Sequence, residues 1–241
     1  ALEKLAERSF DVLSAPDPIA WFEEHRFLLQ GPASGRALGA LGLGRDADRL
    51  IRIGRGLREL HDSGLDLGPC ADLVDHVREL VAPDPGELIR AFPRHAPVIE
   101  NVLERIARSV ADGDPPAAVP LHRDFHLRQI FDDDVRICVV DWDLCAAGDP
   151  AFDVAYFMTY LKTHFRQEIA NRACDRFLAG YGPDPGLLER LDLHEDFNYL
   201  RRSCRRFRLR DHGWKNEIEW MMRRLHHRIF DPPCGFPGSA T

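Results

Sequence analysis

The sequence predicts an α+β fold that is mostly helical, and three observations carry that prediction. Apolar residues recur at helical spacing over most of the chain, as in Leu50, Ile53, Leu57 and Leu60. Strand-like runs are confined to an early segment and to the middle, where VRICVVDWD (135–143) is a continuous apolar run bounded by charge. The 241 residues are 44% hydrophobic and 29% charged, enough to bury a core and too apolar for wholesale disorder.

Taken in order, residues 1–10 read as an amphipathic helix with Leu2, Leu5, Ala6 and Phe10 on one side. Pro16 and Pro18 break it, and IAWFEEHRFLLQ reads as two short strands around a Glu23-Glu24-His25 turn. GPASG (31–35) is a loop. A helix runs from Asp46 to His61-Asp62-Ser63-Gly64, where Gly64 suits a left-handed cap. Further helices are expected near 71–81, 85–92 and 96–111, the second opened by Asp84-Pro85. After the Pro-rich 112–120 come a short strand at Gln129–Asp132, a turn at 132–134 and the buried strand. Helices at 151–163, 166–180, 186–190, 194–210 and 214–229 follow, then a coil tail. PDP recurs at 16–18, 83–85 and 183–185, and each copy reads as the start of a helix.

Composition excludes some functions. Thirty-two basic against thirty-nine acidic side chains give −7, so the chain is no basic nucleic-acid coat. No apolar run approaches the roughly 18 residues of a spanning helix, and the polar start ALEKLAERSF is no signal peptide, so no membrane partner is expected. Six scattered cysteines without a CxxC pair read as reduced thiols, which predicts a cytoplasmic location.

The chemistry concentrates in 121–153, LHRDFHLRQIFDDDVRICVVDWDLCAAGDPAFD. His122-x-Asp124 is followed five residues later by Gln129, and Asp141 closes the strand. A loop, a strand, a turn and a second strand bring Asp124, Gln129 and Asp141 to one end of a hairpin. Two acids and an amide there supply oxygen ligands for a hard cation and one base, the set that phosphoryl transfer needs.

This stretch resembles the catalytic segment of the aminoglycoside phosphotransferase and choline kinase-like family, which shares the protein-kinase fold. The family pattern is His-x-Asp, Asn five residues on, a strand ending in Asp, then Gly-Asp-Pro-x-x-Asp. Here it reads His122, Asp124, Gln129, Asp141, Gly148-Asp149-Pro150 and Asp153. The resemblance implies Asp124 as catalytic base, Gln129 and Asp141 as Mg²⁺ ligands, and His122, Asp149 and Asp153 as braces. It also implies ATP as donor and a hydroxyl-bearing small molecule as acceptor. Gln129 departs from the usual Asn by one methylene, and Arg123 is closer to the protein-kinase His-Arg-Asp than to the usual Gly.

Upstream, PDPIAWFEEHRFLLQGPASGRAL looks like the last N-lobe hairpin and hinge, and IGRGLRELHDSGL like the first long helix of the C-lobe. On that likeness the main chain of Gly31 and Ala33 meets the adenine edge, and Glu3 or Glu7 pairs with the phosphate-binding Lys. Residues 1–34 are then a remnant of the N-terminal lobe, and 35–241 a helical C-terminal lobe holding the catalytic loop and acceptor-binding helices. The family's Gly-rich loop and strand Lys are missing from these residues and are expected ahead of Ala1. Without them the alternative is a catalytically inactive kinase-fold binding module.

Plainer roles fit the other candidates. Asp143 reads either as solvated or as a supporting partner, and His126 as a loop hydrogen-bonder. IRIGRG (51–56) is helical and no dinucleotide loop, since Glu59 stands at the third glycine position. Ser34 is no nucleophile elbow, and Met221 and Met222 are core filler. Tyr199–Phe230 holds ten basic residues against three acids, leaving −14 for the remainder. That stretch reads as a solvated face, an anionic-substrate site or a nucleic-acid contact; a neutral or anionic acceptor fits it best, and nucleic acid is not the expected partner.

Overall fold

The structure, a computed structural model, describes residues 1–38, 47–113 and 115–231. In chain order it contains α1 (Leu2–Ala6), β1 (Leu13–Ser14), β2 (Pro18–Phe22), β3 (Phe27–Gln30), β4 (Arg36–Ala37), α2 (Ala47–Asp62), α3 (Leu73–Leu80), α4 (Pro85–Ala91) and α5 (Ala96–Asp112). Then follow β5 (Val119–Leu121), β6 (Ile130–Asp132), β7 (Ile137–Val139), β8 (Ala146–Gly148), α6 (Ala151–His164), α7 (Gln167–Tyr181), α8 (Pro185–Leu209) and α9 (Trp214–Phe230). The chain divides into two compact units, one of 1–71 with 115–194 and one of 72–114 with 195–241.

In the first unit a four-stranded sheet has the order β1-β7-β6-β4, with β1 parallel to β7 and the other pairs antiparallel. The β6–β7 turn is fixed locally: Asp133 Oδ1 accepts from the N–H groups of Val135 and Arg136, and Asp134 is left-handed at φ 73°. Glu59 of α2 accepts the N–H groups of Val12 and Leu13, which ties β1 to that helix. Asp132, 1% exposed, is held between Arg49 and Arg52. Burial pushes its carboxyl up, but the hydrogen bonds from those arginines overcome this and hold it below the usual carboxylate range. Leu13, Ile53, Leu57, Leu60, Ile130, Ile137, Phe157 and Phe177 form the core between sheet and helices.

The backbones of α2 and α7 touch. A Cβ placed on Gly54 would stand 2.2 Å from the Phe177 carbonyl, and one on Gly180 would stand 2.0 Å from the Ile51 carbonyl. Only hydrogen fits in either place, so each glycine admits the other helix. β2 and β3 form a separate two-stranded hairpin whose Trp21 and Phe27 are more than half exposed.

The second unit is helical. Asp72 and Asp75 form a reciprocal capping box at α3, and Asp84 caps α4 ahead of Pro85. Asp196 is 2% exposed and bound by Arg105 and Arg228. Phe92, Phe207 and Trp214 pack edge to face or tilted.

Several expectations change. The first helix ends at Ala6 rather than residue 10. The buried strand shrinks to Ile137–Val139, because Val135 lies in the turn at 72% exposure and Asp141 is left-handed. Residues 186–190 and 194–210 belong to one helix, since Leu191, Asp192 and Leu193 carry no breaker. Asp84 and Asp184 cap helices as expected, whereas the first PDP leads into a strand at Pro18, where a missing N–H is tolerated. IRIGRG lies within α2, and Met221 and Met222 are buried. The helix start at Asp46 and the tail from Pro232 lie outside the described residues.

Candidate active site

Three side chains from residues 121–153 converge in the first unit. Asp124 stands in the loop after β5, Gln129 in a single 3₁₀ turn before β6, and Asp141 two residues after β7. The β6–β7 ladder pairs Ile130 with Val139, and the Val140 N–H donates to the Gln129 carbonyl at 3.0 Å. This register puts Gln129 beside Asp141. The Gln129 amide donates to Asp141 Oδ2 at 2.6 Å and lies 3.4 Å from Asp124 Oδ2. One NH₂ group thus stands between two carboxylates. Asp141 adopts φ 67° and Arg123 φ 66°, sparsely populated conformations for residues with a Cβ, and both flank this cluster.

The braces lie behind it. Asp153, fully buried on α6, accepts from the His122 N–H at 2.7 Å and the Arg123 N–H at 2.8 Å. His61 Nε2 of α2 lies 3.4 Å from the same carboxylate, and its Nδ1 meets the Tyr181 hydroxyl at 2.8 Å. Burial opposes ionisation of Asp153, yet the hydrogen bonds from His61 and the His122 N–H hold its carboxyl below the usual range. Burial likewise pushes Asp149 up, and His194 and Arg190 outweigh it and hold that carboxyl well below the usual range. Asp149 also accepts the Ala151 N–H and so starts α6.

His122 is fully buried. Its Nε2 lies 2.9 Å from the Val140 carbonyl, which can only accept, so the ring proton sits on Nε2. Nδ1 then accepts the N–H of Asp124 at 3.2 Å. The ring packs 4.6 Å from Trp142. His122 therefore links the loop that carries Asp124 to the segment that ends in Asp141.

Two neighbours of Asp124 were not identified from sequence as its contacts. The Tyr156 hydroxyl donates to Asp124 Oδ1 at 2.5 Å, and His126 Nε2 lies 3.6 Å from Oδ2. His126 is buried against Tyr156 and Tyr160, and burial pushes its imidazole toward the neutral form. The sequence signal for Tyr156 was its spacing, three residues after Asp153 on a helix.

Gly31 and Ala33 lie in the loop after β3 and form no hydrogen bond to the Asp124 cluster among the described residues. The Gly31 N–H donates to the Asp17 carbonyl at 2.8 Å, which leaves its carbonyl as the group it can offer. Lys4 is bound to Asp66 through its main-chain and side-chain oxygens. Asp143 is exposed.

A model of the phosphotransferase enzyme family matches residues 1–194, which contain every residue of this cluster. The chain belongs to that family. Among solved structures, this phosphotransferase-family chain is similar to an amicoumacin kinase bound to AMP-PNP, Ca²⁺ and amicoumacin, at TM-score 0.69 and 10% identity, covering 94% of this chain and 75% of the other. It is also similar to an aminoglycoside phosphotransferase mutant in ternary complex with AMP-PNP and hygromycin B, at TM-score 0.68 and 14% identity over 98% and 83%. A choline/ethanolamine kinase family protein from Mesorhizobium loti aligns at TM-score 0.65 and 14% identity over 90% and 74%. These likenesses establish the kinase-like α+β fold that the sequence predicted. No curated protein matches the chain. No helix of the described residues is long and apolar enough to cross a membrane, and none of the five described cysteines is in a disulfide.

Proposed function

We propose that this chain is an ATP- and Mg²⁺-dependent phosphotransferase that acts on a hydroxyl of a small molecule. The observation that carries the reading is the convergence of Asp124 and Asp141 on the Gln129 amide. Asp124 accepts the proton of the acceptor hydroxyl as the phosphoryl group moves to that oxygen. Asp153 and His122 fix the loop that carries Asp124, and the Gly31 carbonyl and the Ala33 main chain are offered to the adenine edge.

The donor set fits a magnesium ion. The Gln129 NH₂ donates where two carboxylates face it, a position a cation would also favour, and turning the amide would place Oε1 there beside Asp141. Two protein oxygens with nucleotide phosphates are an ordinary Mg²⁺ environment. When bound, the ion neutralises charge on the phosphates.

We assign 1–34 to a remnant N-terminal lobe and 35–241 to a C-terminal lobe. The acceptor is read as neutral or anionic, though the basic stretch is partly neutralised within the second unit. Arg206 pairs with Asp211 and Glu217, Arg228 with Glu195 and Asp196, and Arg224 lies over Tyr199 and Trp220. Arg205, Arg208, Arg210, Lys215 and Arg223 are exposed, and they support this reading.

The test is transfer of labelled γ-phosphate from ATP to panels of aminoglycosides, sugars, nucleosides and amino alcohols. Transfer that Asp124→Asn abolishes supports the reading. Nucleotide binding without transfer to any acceptor would replace it with that of an inactive binding module.

A further inference from the structure

The catalytic loop is held from one face of α6. Asp153 and Tyr156 stand three residues apart on that helix and so project from the same side. Asp153 takes the N–H groups of His122 and Arg123, which fixes the backbone entering Asp124. Tyr156 reaches the next residue along: its hydroxyl donates to Asp124 Oδ1. Gln129 Nε2 at 3.4 Å and His126 Nε2 at 3.6 Å stand farther off, on the side of Oδ2. Tyr156 is 3% exposed, one turn beyond the buried Phe152 on the same side of the helix. Packing alone asks for an aromatic ring there. A hydroxyl buried with it needs a partner, and the partner here is the base.

We propose that Tyr156 is a positioning residue for phosphoryl transfer: its hydroxyl holds Asp124 Oδ1, so that Oδ2 is presented to the acceptor hydroxyl. This rests on the reading of Asp124 as the base. In the transfer the acceptor O–H bond breaks and its proton passes to Asp124 Oδ2. The acceptor oxygen bonds to the γ-phosphorus, and the bond from that phosphorus to the bridging oxygen of the departing ADP breaks. Tyr156 keeps its own proton throughout. It restricts the carboxylate to one rotamer, which affects the reacting geometry and not the binding of either substrate.

Tyr156→Phe keeps the ring and removes only the hydroxyl. With ATP, Mg²⁺ and an acceptor turned over by the unaltered chain, kcat should fall about tenfold or more. Both KM values should stay within about twofold. Replacing Tyr156 by p-aminophenylalanine, which puts an N–H donor back at the same ring position, should recover part of the loss. If Asp124→Asn abolishes transfer while Tyr156→Phe matches the unaltered chain, the proposal is overturned and the base assignment stands. No transfer by the unaltered chain to any acceptor overturns both. A loss that appears in KM, or a failure of both Tyr156 variants to fold, makes Tyr156 a packing residue and overturns the proposal alone.

Discussion

Asp153→Asn tests the brace behind the candidate base. The carboxylate accepts two main-chain N–H groups at 2.7 and 2.8 Å and faces His61 Nε2 at 3.4 Å, all without solvent. Asparagine is nearly isosteric but has one acceptor oxygen. Whichever way its amide turns, an NH₂ group meets an N–H donor, so one charge-assisted hydrogen bond is lost and a buried donor is left unpaired. Each such loss is worth about 1.5–3 kcal/mol, and we expect about 3 kcal/mol in all after relaxation. For a chain of this size 1 kcal/mol moves the melting temperature by roughly 2–4 °C, which predicts a fall of about 6–12 °C. Circular dichroism melts of the two proteins at pH 7, with urea unfolding as a second measure, read this directly. A melting temperature within about 2 °C of the parent would show that these contacts do not carry the loop's stability.

Five further outcomes follow from the same geometry. Asp124→Asn should abolish phosphoryl transfer while leaving the melting temperature within a few degrees, as turnover assays and melts together will show. Asp141→Ala should weaken nucleotide binding more with Mg²⁺ than without it in calorimetry, and Gln129→Asn should retain part of the transfer activity. Gly180→Ala drives a methyl into the Ile51 carbonyl, and we expect a loss of about 3 kcal/mol or more, seen in soluble yield and urea midpoint. Asp132, Asp149 and Asp153 all hold folded pKa values below their unfolded ones. Their stabilisation is therefore full above the unfolded values near pH 4 and is lost as pH falls through the folded ones. Melting temperatures should fall gently from about pH 7 to 5, where the buried His126 is held below its unfolded value, and drop steeply below about pH 4.

The convergence of Asp124, Gln129 and Asp141 was legible because a hairpin's register follows from turn residues, and DDD at 132–134 marks that turn. Most helices were legible from apolar spacing and from capping Asp-Pro pairs. The two- and three-residue strands were not, since β1, β4, β5 and β8 are too short to show any alternation and are defined by distant partners. The grip of Tyr156 on Asp124 also escaped, because helical spacing gives a face but not what lies opposite it. IRIGRG was correctly placed in a helix, yet nothing local says that Gly54 is there for a crossing with Gly180, 126 residues away.

That crossing sets a register. Sliding α2 past α7 by one residue, about 1.5 Å, would bring a side chain to a place where only hydrogen is accommodated. The pair is therefore indexed like a key in a slot. His61, seven residues beyond Gly54, and Tyr181, next to Gly180, are carried into hydrogen-bonding range by that indexing rather than by any attraction of their own. A single-residue insertion in α2 between Gly54 and His61 would rotate the imidazole away from Asp153 by about 100° and leave the crossing intact. The same insertion in the loop beyond Gly64 would cost the alignment nothing.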